Sequence, residues 1–245
     1  MAKFTVMLPA AGKGDRFGGS EKKTFAKLDG RPVFMRSIEI FLNRDDVQQI
    51  ILAVAPEDVS QVKSQYGANL GFMGVKLVEG GSRRVDTVRA ALAAVAADCE
   101  YVAVHDAVRP CVAADWVDAV FAEAQKTGAA ILACPLNGTI KRVGDSKVID
   151  ETVPRTGLCE AQTPQAFRKT VLIDAYSKLG DAQAEHVTDD AEVVELSGHP
   201  VSIVISDASN LKITTRGDLT LAAAVLKSRP PKAVRKLGAF EEAQW

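Results

Sequence analysis

Phe4-Thr5-Val6-Met7-Leu8-Pro9-Ala10-Ala11-Gly12-Lys13-Gly14-Asp15-Arg16-Phe17-Gly18-Gly19 is the stretch from which the fold can be read. Phe4–Leu8 is a short apolar run with the composition of a buried strand. Small residues follow at once, so the loop leaves the carboxyl edge of a sheet, where open α/β folds hold their ligands. Glycine and alanine let the backbone come close to a polyphosphate, and successive N–H groups make an anion-binding nest. Basic residues crowd the same region. Lys3, Lys13, Arg16, Lys22, Lys23, Lys27, Arg31 and Arg36 stand against Asp15, Glu21 and Asp29. In a chain of net charge −1 this is a local positive focus suited to a small polyanion.

Two familiar phosphate loops do not fit. A Walker A loop requires glycine directly before Lys23-Thr24, where Lys22 stands, and Gly12, Gly14 and Gly18 are spaced one residue too wide for the dinucleotide fingerprint. A glycine turn that binds nothing is the plainer alternative. The preceding strand and the basic cluster favour phosphate.

Outward from the loop, short β-branched runs alternate with helical patterns, the mark of βαβ units. Strands are predicted at Phe4–Leu8, Gln49–Ala55, Val75–Val78, Tyr101–His105, Ala129–Ala133 and Val201–Ile205. Helices are predicted after Pro32, over Arg84–Ala97, over Asp115–Lys126 with a stop at Gly128, and over Thr215–Lys227. Between Pro135 and Thr163 the alternation breaks. Thr139–Val143 and Lys147–Val153 flank Gly144-Asp145-Ser146, which reads as a β-hairpin. It is either a decorated surface loop or an arm that grips a second subunit. The fold class is therefore α/β, Rossmann-like, a mostly parallel wound sheet with an inserted hairpin arm. One domain is expected over residues 1–229, with the arm at 135–163 and a peripheral tail at 230–245.

The 245 residues are 47% hydrophobic and 25% charged, ordinary for a globular protein. Near-neutral charge argues against nucleic acid or an anionic membrane as partner. The N-terminal run meets proline and a glycine loop with no cleavage site, so it reads as a strand and not as a signal peptide. Cys99, Cys111, Cys134 and Cys159 are widely spaced without a C-x-x-C pair, as expected of reduced thiols in a cytoplasmic protein.

The pattern P-A-A-G-x-G-x-R with a lysine further on resembles nucleotidyltransferases that activate sugar or sugar-alcohol phosphates. Further segments narrow the resemblance: Glu79-Gly80-Gly81-Ser82-Arg83-Arg84-Val85-Asp86-Thr87, Val104-His105-Asp106-Ala107-Val108-Arg109-Pro110 and Gly138-Thr139-Ile140-Lys141-Arg142. Arg155 through Gln162-Thr163-Pro164-Gln165, Thr188-Asp189-Asp190-Ala191 and Asn210-Leu211-Lys212-Ile213-Thr214 complete the set. In this order, across Phe4–Leu226, they are similar to the 2-C-methyl-D-erythritol 4-phosphate cytidylyltransferase family of the non-mevalonate isoprenoid route.

The resemblance implies a reaction in which CTP and the alcohol phosphate give a CDP-alcohol and pyrophosphate, with Mg2+ bound mainly through the CTP phosphates. A phosphate monoester, with its second pKa near 6, arrives largely dianionic, so no general base is required. The protein's task is positioning and cationic stabilisation. The resemblance implies that Arg16, Lys23 and Lys212 act on the phosphates, while Pro9, Ala10, Ala11, Gly12, Gly14, Gly81, Ser82, Thr87, Asp106 and Ala107 bind the nucleotide. Asp106, Arg109, Thr139 and Arg155 would bind the acceptor, the last two reaching from the arm into the partner's site of a homodimer. His105 is expected to orient or pack, and Asp189 to cap a helix; no residues are assigned as metal ligands.

Departures from the family pattern are Lys22, Thr24, Thr87 and Val108. Lys22 leaves two lysines as alternatives for the phosphate contact, of which Lys23 is the choice. H-D-A-V-R-P also resembles ribitol-5-phosphate cytidylyltransferases, but Lys141-Arg142 keeps the basic pair of the methylerythritol branch. A non-catalytic nucleotide-binding module would keep the glycine loop and could dispense with Arg16, Lys23 and Lys212, all of which are present.

Overall fold

The computed structural model describes residues 2–12, 14, 17–18 and 22–229. Arg16 and the tail at 230–245 lie outside the described residues.

Seven strands form the central sheet: β1 (Phe4–Ala10), β4 (Val47–Val54), β5 (Val75–Glu79), β6 (Tyr101–Val104), β7 (Ala129–Pro135), β10 (Cys159–Arg168) and β11 (Ser202–Ile205), in the order β11-β7-β10-β6-β1-β4-β5. Every neighbouring pair is parallel except those of β10, which runs antiparallel to both β6 and β7. β2 (Lys27–Leu28) and β3 (Arg31–Pro32) make a small ribbon. The wound sheet predicted from the alternation is present, and β1, between β4 and β6, is where the chain reverses its direction of winding.

Period-two alternation splits the core between the two faces. Phe4, Val6 and Leu8 of β1, with Ile50, Leu52 and Val54 of β4, face α1 (Val33–Glu39), α2 (Val59–Phe72) and α4 (Ala114–Thr127). Met7, Ile51 and Ala53 face the other way, onto α3 (Arg84–Ala93), α5 (Lys169–Lys178) and α7 (Asp190–Leu196). The ring of Phe4 stacks on Phe121 with centroids 3.8 Å apart, and each such buried ring contributes roughly 1.5–3 kcal/mol. A third cluster seats α8 (Arg216–Ser228) through Ala222 against Val108, Cys111 and Ile213. A short helix α6 (Asp181–Ala184) links α5 to α7.

The predicted helices after Pro32, at 115–126 and at 215–227 are present within a residue or two at their starts, and Gly128 ends α4 in the left-handed region at φ 91°. Thr215 caps α8 with Asp218 reaching back to the Thr215 N–H at 2.8 Å. The helix predicted over 84–97 stops at Ala93. Gln49 and Lys76 take the Ala94 carbonyl, and Lys169 takes those of Ala96 and Ala97, so the last turn gives its acceptors to side chains. The sequence reading omits β10, α2 and α5. In β10 the middle is Gln162-Thr163-Pro164-Gln165, polar yet buried, which hides the strand. In α2 only Val62 and Leu70 are buried, too few to show a helical period.

Between β7 and β10 stands the hairpin, β8 (Ile140–Val143) and β9 (Ile149–Val153), paired only with each other. Its second strand starts two residues later than predicted, because Lys147, at φ 59°, belongs to the turn. Arg142 and Glu151 pair across it at 2.6 Å.

Candidate active site

At the carboxyl edge, a cavity of about 160 Å³ is lined by Pro9, Ala10, Ala11, Gly12, Lys23, Gly81, Ser82, Thr87, Asp106 and Lys212, all predicted, together with Thr24, Arg83, Arg84 and Val108. The volume is below the roughly 300–1,000 Å³ of a whole-ligand pocket. It can enclose only part of such a ligand. Gly14, at φ 76°, brings the loop against Lys23, whose Cγ is 3.5 Å from where a Cβ at Gly14 would stand.

The two loop lysines differ in their surroundings. Lys22 Nζ is 2.7 Å from Asp58 and 3.1 Å from Glu57. Burial opposes its charge, but these carboxylates prevail and raise its pKa. Lys23 lines the cavity.

One wall of the cavity is a tight turn. Thr87 is buried, and its Oγ1 accepts from Gly81 N at 3.2 Å and lies 3.1 Å from Arg83 O. A Cβ at Gly81 would fall 2.4 Å from that of Asp86, so only glycine fits there. The hydroxyl retained by Thr87 thus fastens the turn.

Asp106, carried just beyond the end of β6, also lines the cavity. Its Oδ2 accepts from Lys212 Nζ at 2.9 Å and Arg109 Nε at 3.2 Å. Burial alone would raise its pKa, but Lys212, Arg84 and Arg109 outweigh it and hold the carboxyl well below the usual range. Arg109 is no surface arginine: it is 4% exposed and also donates to the Asn210 carbonyl at 2.7 Å. It stands behind Asp106 and does not line the cavity. Ala107 likewise turns into the core, and its carbonyl accepts from Ser37 at 3.0 Å. Thr139 and Arg155 sit exposed on and beside the hairpin and do not line this cavity; Arg155 donates to the Asn137 carbonyl.

His105 takes the orienting place expected of it. Asp106 N donates to Thr163 Oγ1, the Thr163 hydroxyl donates to His105 Nδ1, and Nε2–H donates to Arg109 O, each at 3.0 Å. The set fixes one tautomer, and burial pushes its pKa down to about 4, so the ring is neutral and offers no acid or base to the cavity. Asp189 is the N-cap of α7, accepting from Glu192 N at 2.9 Å. Among the described residues no group of three His, Cys, Asp or Glu is placed to hold a metal, and no helix is long and apolar enough to cross a membrane.

Sequence reasoning gave no role to Arg84. Its signal was visible nonetheless: two arginines open α3, at the helix end that favours acidic residues.

A family model, 2-C-methyl-D-erythritol 4-phosphate cytidylyltransferase, matches residues 4–228. The chain belongs to that family. It is 44% identical to the enzyme of that name from Rhodopirellula baltica, covering 92% of this chain and 95% of the relative. With the Alkaliphilus oremlandii enzyme it shares 36% identity, over 94% of this chain and 97% of that one. The crystal structure of the Francisella tularensis enzyme superposes with a TM-score of 0.78 at 27% identity, covering 91% of this chain and all of the other. The family match decides between the methylerythritol and ribitol resemblances in favour of the former.

Proposed function

We propose that the cavity at the end of β1 and β6 is where this cytidylyltransferase holds CTP. As a family member, the chain is a nucleotidyltransferase that converts CTP and 2-C-methyl-D-erythritol 4-phosphate to the CDP-alcohol and pyrophosphate in isoprenoid biosynthesis. One observation carries the placement. Motifs far apart in sequence, the glycine loop with Lys23, the Gly81–Thr87 turn, Asp106 and Lys212, converge on a single cavity.

The base enters the narrow wall between Ala10 and Gly81–Ser82, which suits a pyrimidine. Asp106 faces the ribose and the acceptor. Arg16, Lys23 and Lys212 receive the triphosphate and the charge that gathers as pyrophosphate leaves. Asp106 is the one carboxylate among the described cavity-lining residues, and cations already occupy it. A Mg2+ would therefore be bound mainly by the phosphates, lending them charge neutralisation. Initial-rate pyrophosphate release with CTP and Mg2+ tests the reading, with methylerythritol phosphate and ribitol phosphate compared. Turnover confined to the former is expected; equal rates with ATP and CTP refute the base pocket.

The acceptor site is completed in trans, by Thr139 and Arg155 of a second subunit in a cytoplasmic homodimer. Support comes from the hairpin's isolation, since an unpaired two-stranded ribbon is marginal without something to pack on, and from neither residue being among those that line its own chain's cavity. Mixing inactive Lys23→Ala with inactive Arg155→Ala subunits should restore turnover, because one site of each mixed dimer then escapes both lesions. A confirmed mixed dimer that stays inactive refutes the shared site.

A further inference from the structure

Arg84 is a cation in an unfavourable place, the first turn of α3, whose exposed N–H groups already carry partial positive charge. A buried partner compensates it. Its Nη2 lies 2.5 Å from Asp190 Oδ2, and Asp190 is wholly enclosed. The other oxygen of Asp190 accepts from Tyr176 OH at 2.5 Å, and the Asp190 N–H donates to Gln165 Oε1 at 3.0 Å. The anchor is therefore fixed from β10 and α5 as well as α7. Arg84 Nη1, however, is enclosed and has no hydrogen-bond partner among the described residues. If stability were all that mattered, an apolar side chain and a neutral partner would serve as well or better. Yet Arg84 lines the same cavity as Asp106.

Asp106 explains why a fixed cation is useful there. A single oxygen, Oδ2, accepts from both Lys212 and Arg109. Lys212 is 40% exposed at its side chain and must reach the triphosphate to act on it. When it turns away, a buried carboxylate loses one of its partners, and an under-compensated buried charge is costly. Arg84 is, with Lys212 and Arg109, one of the cations that favour the ionised carboxylate.

We propose that Arg84 is a positioning residue for cytidylyl transfer, the immobile cation that keeps Asp106 seated when Lys212 exchanges its bond to Asp106 for one to the triphosphate. The proposal rests on the roles given above to Asp106 and Lys212. It makes the Asp190–Tyr176–Gln165 anchor part of the active site's support.

Two variants separate this from a merely structural ion pair. Arg84→Met combined with Asp190→Asn removes the charge together with its partner, and Arg84→Lys keeps the charge. In the double variant the thermal midpoint should stay near that of the unaltered enzyme, while kcat falls roughly 30-fold or more and KM for CTP changes less than about threefold. Arg84→Lys should retain kcat within about tenfold. A folded double variant with kcat within about threefold of normal overturns the proposal, as does a folded Arg84→Lys no better than the double variant. If the double variant does not fold, Arg84→Lys and Arg84→Gln replace it. A higher kcat for lysine supports the charge, and equal values overturn it. Lys212→Met is the control: near-normal turnover there refutes the reading of the site, independently of Arg84.

Discussion

Replacing Gly81 with alanine tests whether the turn before α3 positions the nucleotide. The backbone there is not left-handed, so the strain would come from contact alone. The new Cβ would stand 2.4 Å from Asp86 Cβ and 3.3 and 3.4 Å from its C and Cα atoms. Asp86 has little room to withdraw, being held by Arg83 through bonds of 2.8 and 2.9 Å. Carbon atoms rest comfortably at about 3.5–4.0 Å, so turn and helix must part by about 1.1 Å. Such overpacking costs about 1–3 kcal/mol, a fall in Tm of about 2–12 °C for a chain of this size. A displacement near 1 Å of a positioning group costs on the order of 100-fold in rate, about 2.7 kcal/mol. The assay is initial-rate pyrophosphate release with CTP varied at saturating acceptor, alongside a thermal melt. A Tm that falls as expected while kcat/KM for CTP stays within about threefold of normal refutes the reasoning, since the turn would then move without consequence for the nucleotide.

Lys22→Ala should change kcat by less than about threefold but lower stability by roughly 1–3 kcal/mol, because the buried Asp58 carboxylate loses its 2.7 Å partner, whereas Lys23→Ala should lower kcat roughly 100- to 1,000-fold; steady-state kinetics on both variants checks the register of the loop. His105 is neutral when folded, with a pKa of about 4 against about 6.5 unfolded. The unfolded chain thus binds the extra proton first, and this residue's contribution to stability is complete above pH 6.5 and lost as pH falls toward 4. Urea midpoints measured across that window should decline less steeply for a folded His105→Asn variant, and an unchanged slope would show that the buried ring does not titrate.

What could be read from the sequence was whatever physics is local. Strands β1, β4, β6 and β7 carry runs of apolar residues, and the glycine loop and Asp106 lie directly beyond strand ends, so their place at the sheet edge followed. The hairpin was legible from Gly144-Asp145-Ser146. What stayed hidden depends on distant partners. Arg109 is turned inward by the carbonyl of Asn210, 101 residues on, and Arg84 by Asp190, 106 residues on. Strand β10 was obscured because its buried polar side chains are satisfied by other segments: Gln162 Oε1 accepts from Ser206 and Asn210, each at 2.9 Å. No hydrophobic period announces an element built that way.

The antiparallel course of β10 bears on how this scaffold could be altered. Pro135 at the end of β7 lies in register with Cys159 at the start of β10, and Leu136 N donates to Leu158 O at 3.2 Å just beyond. The segment that carries the acceptor-binding candidates thus departs and returns through one rung of the ladder, like a cassette with adjoining terminals. A graft between those two points need not re-thread the sheet, and doubling its length adds only about 0.6 kcal/mol of closure entropy. On the shared-site proposal, swapping residues 136–158 exchanges the arm's share of acceptor recognition as a unit, while Asp106 and the rest of the cavity lining stay in place.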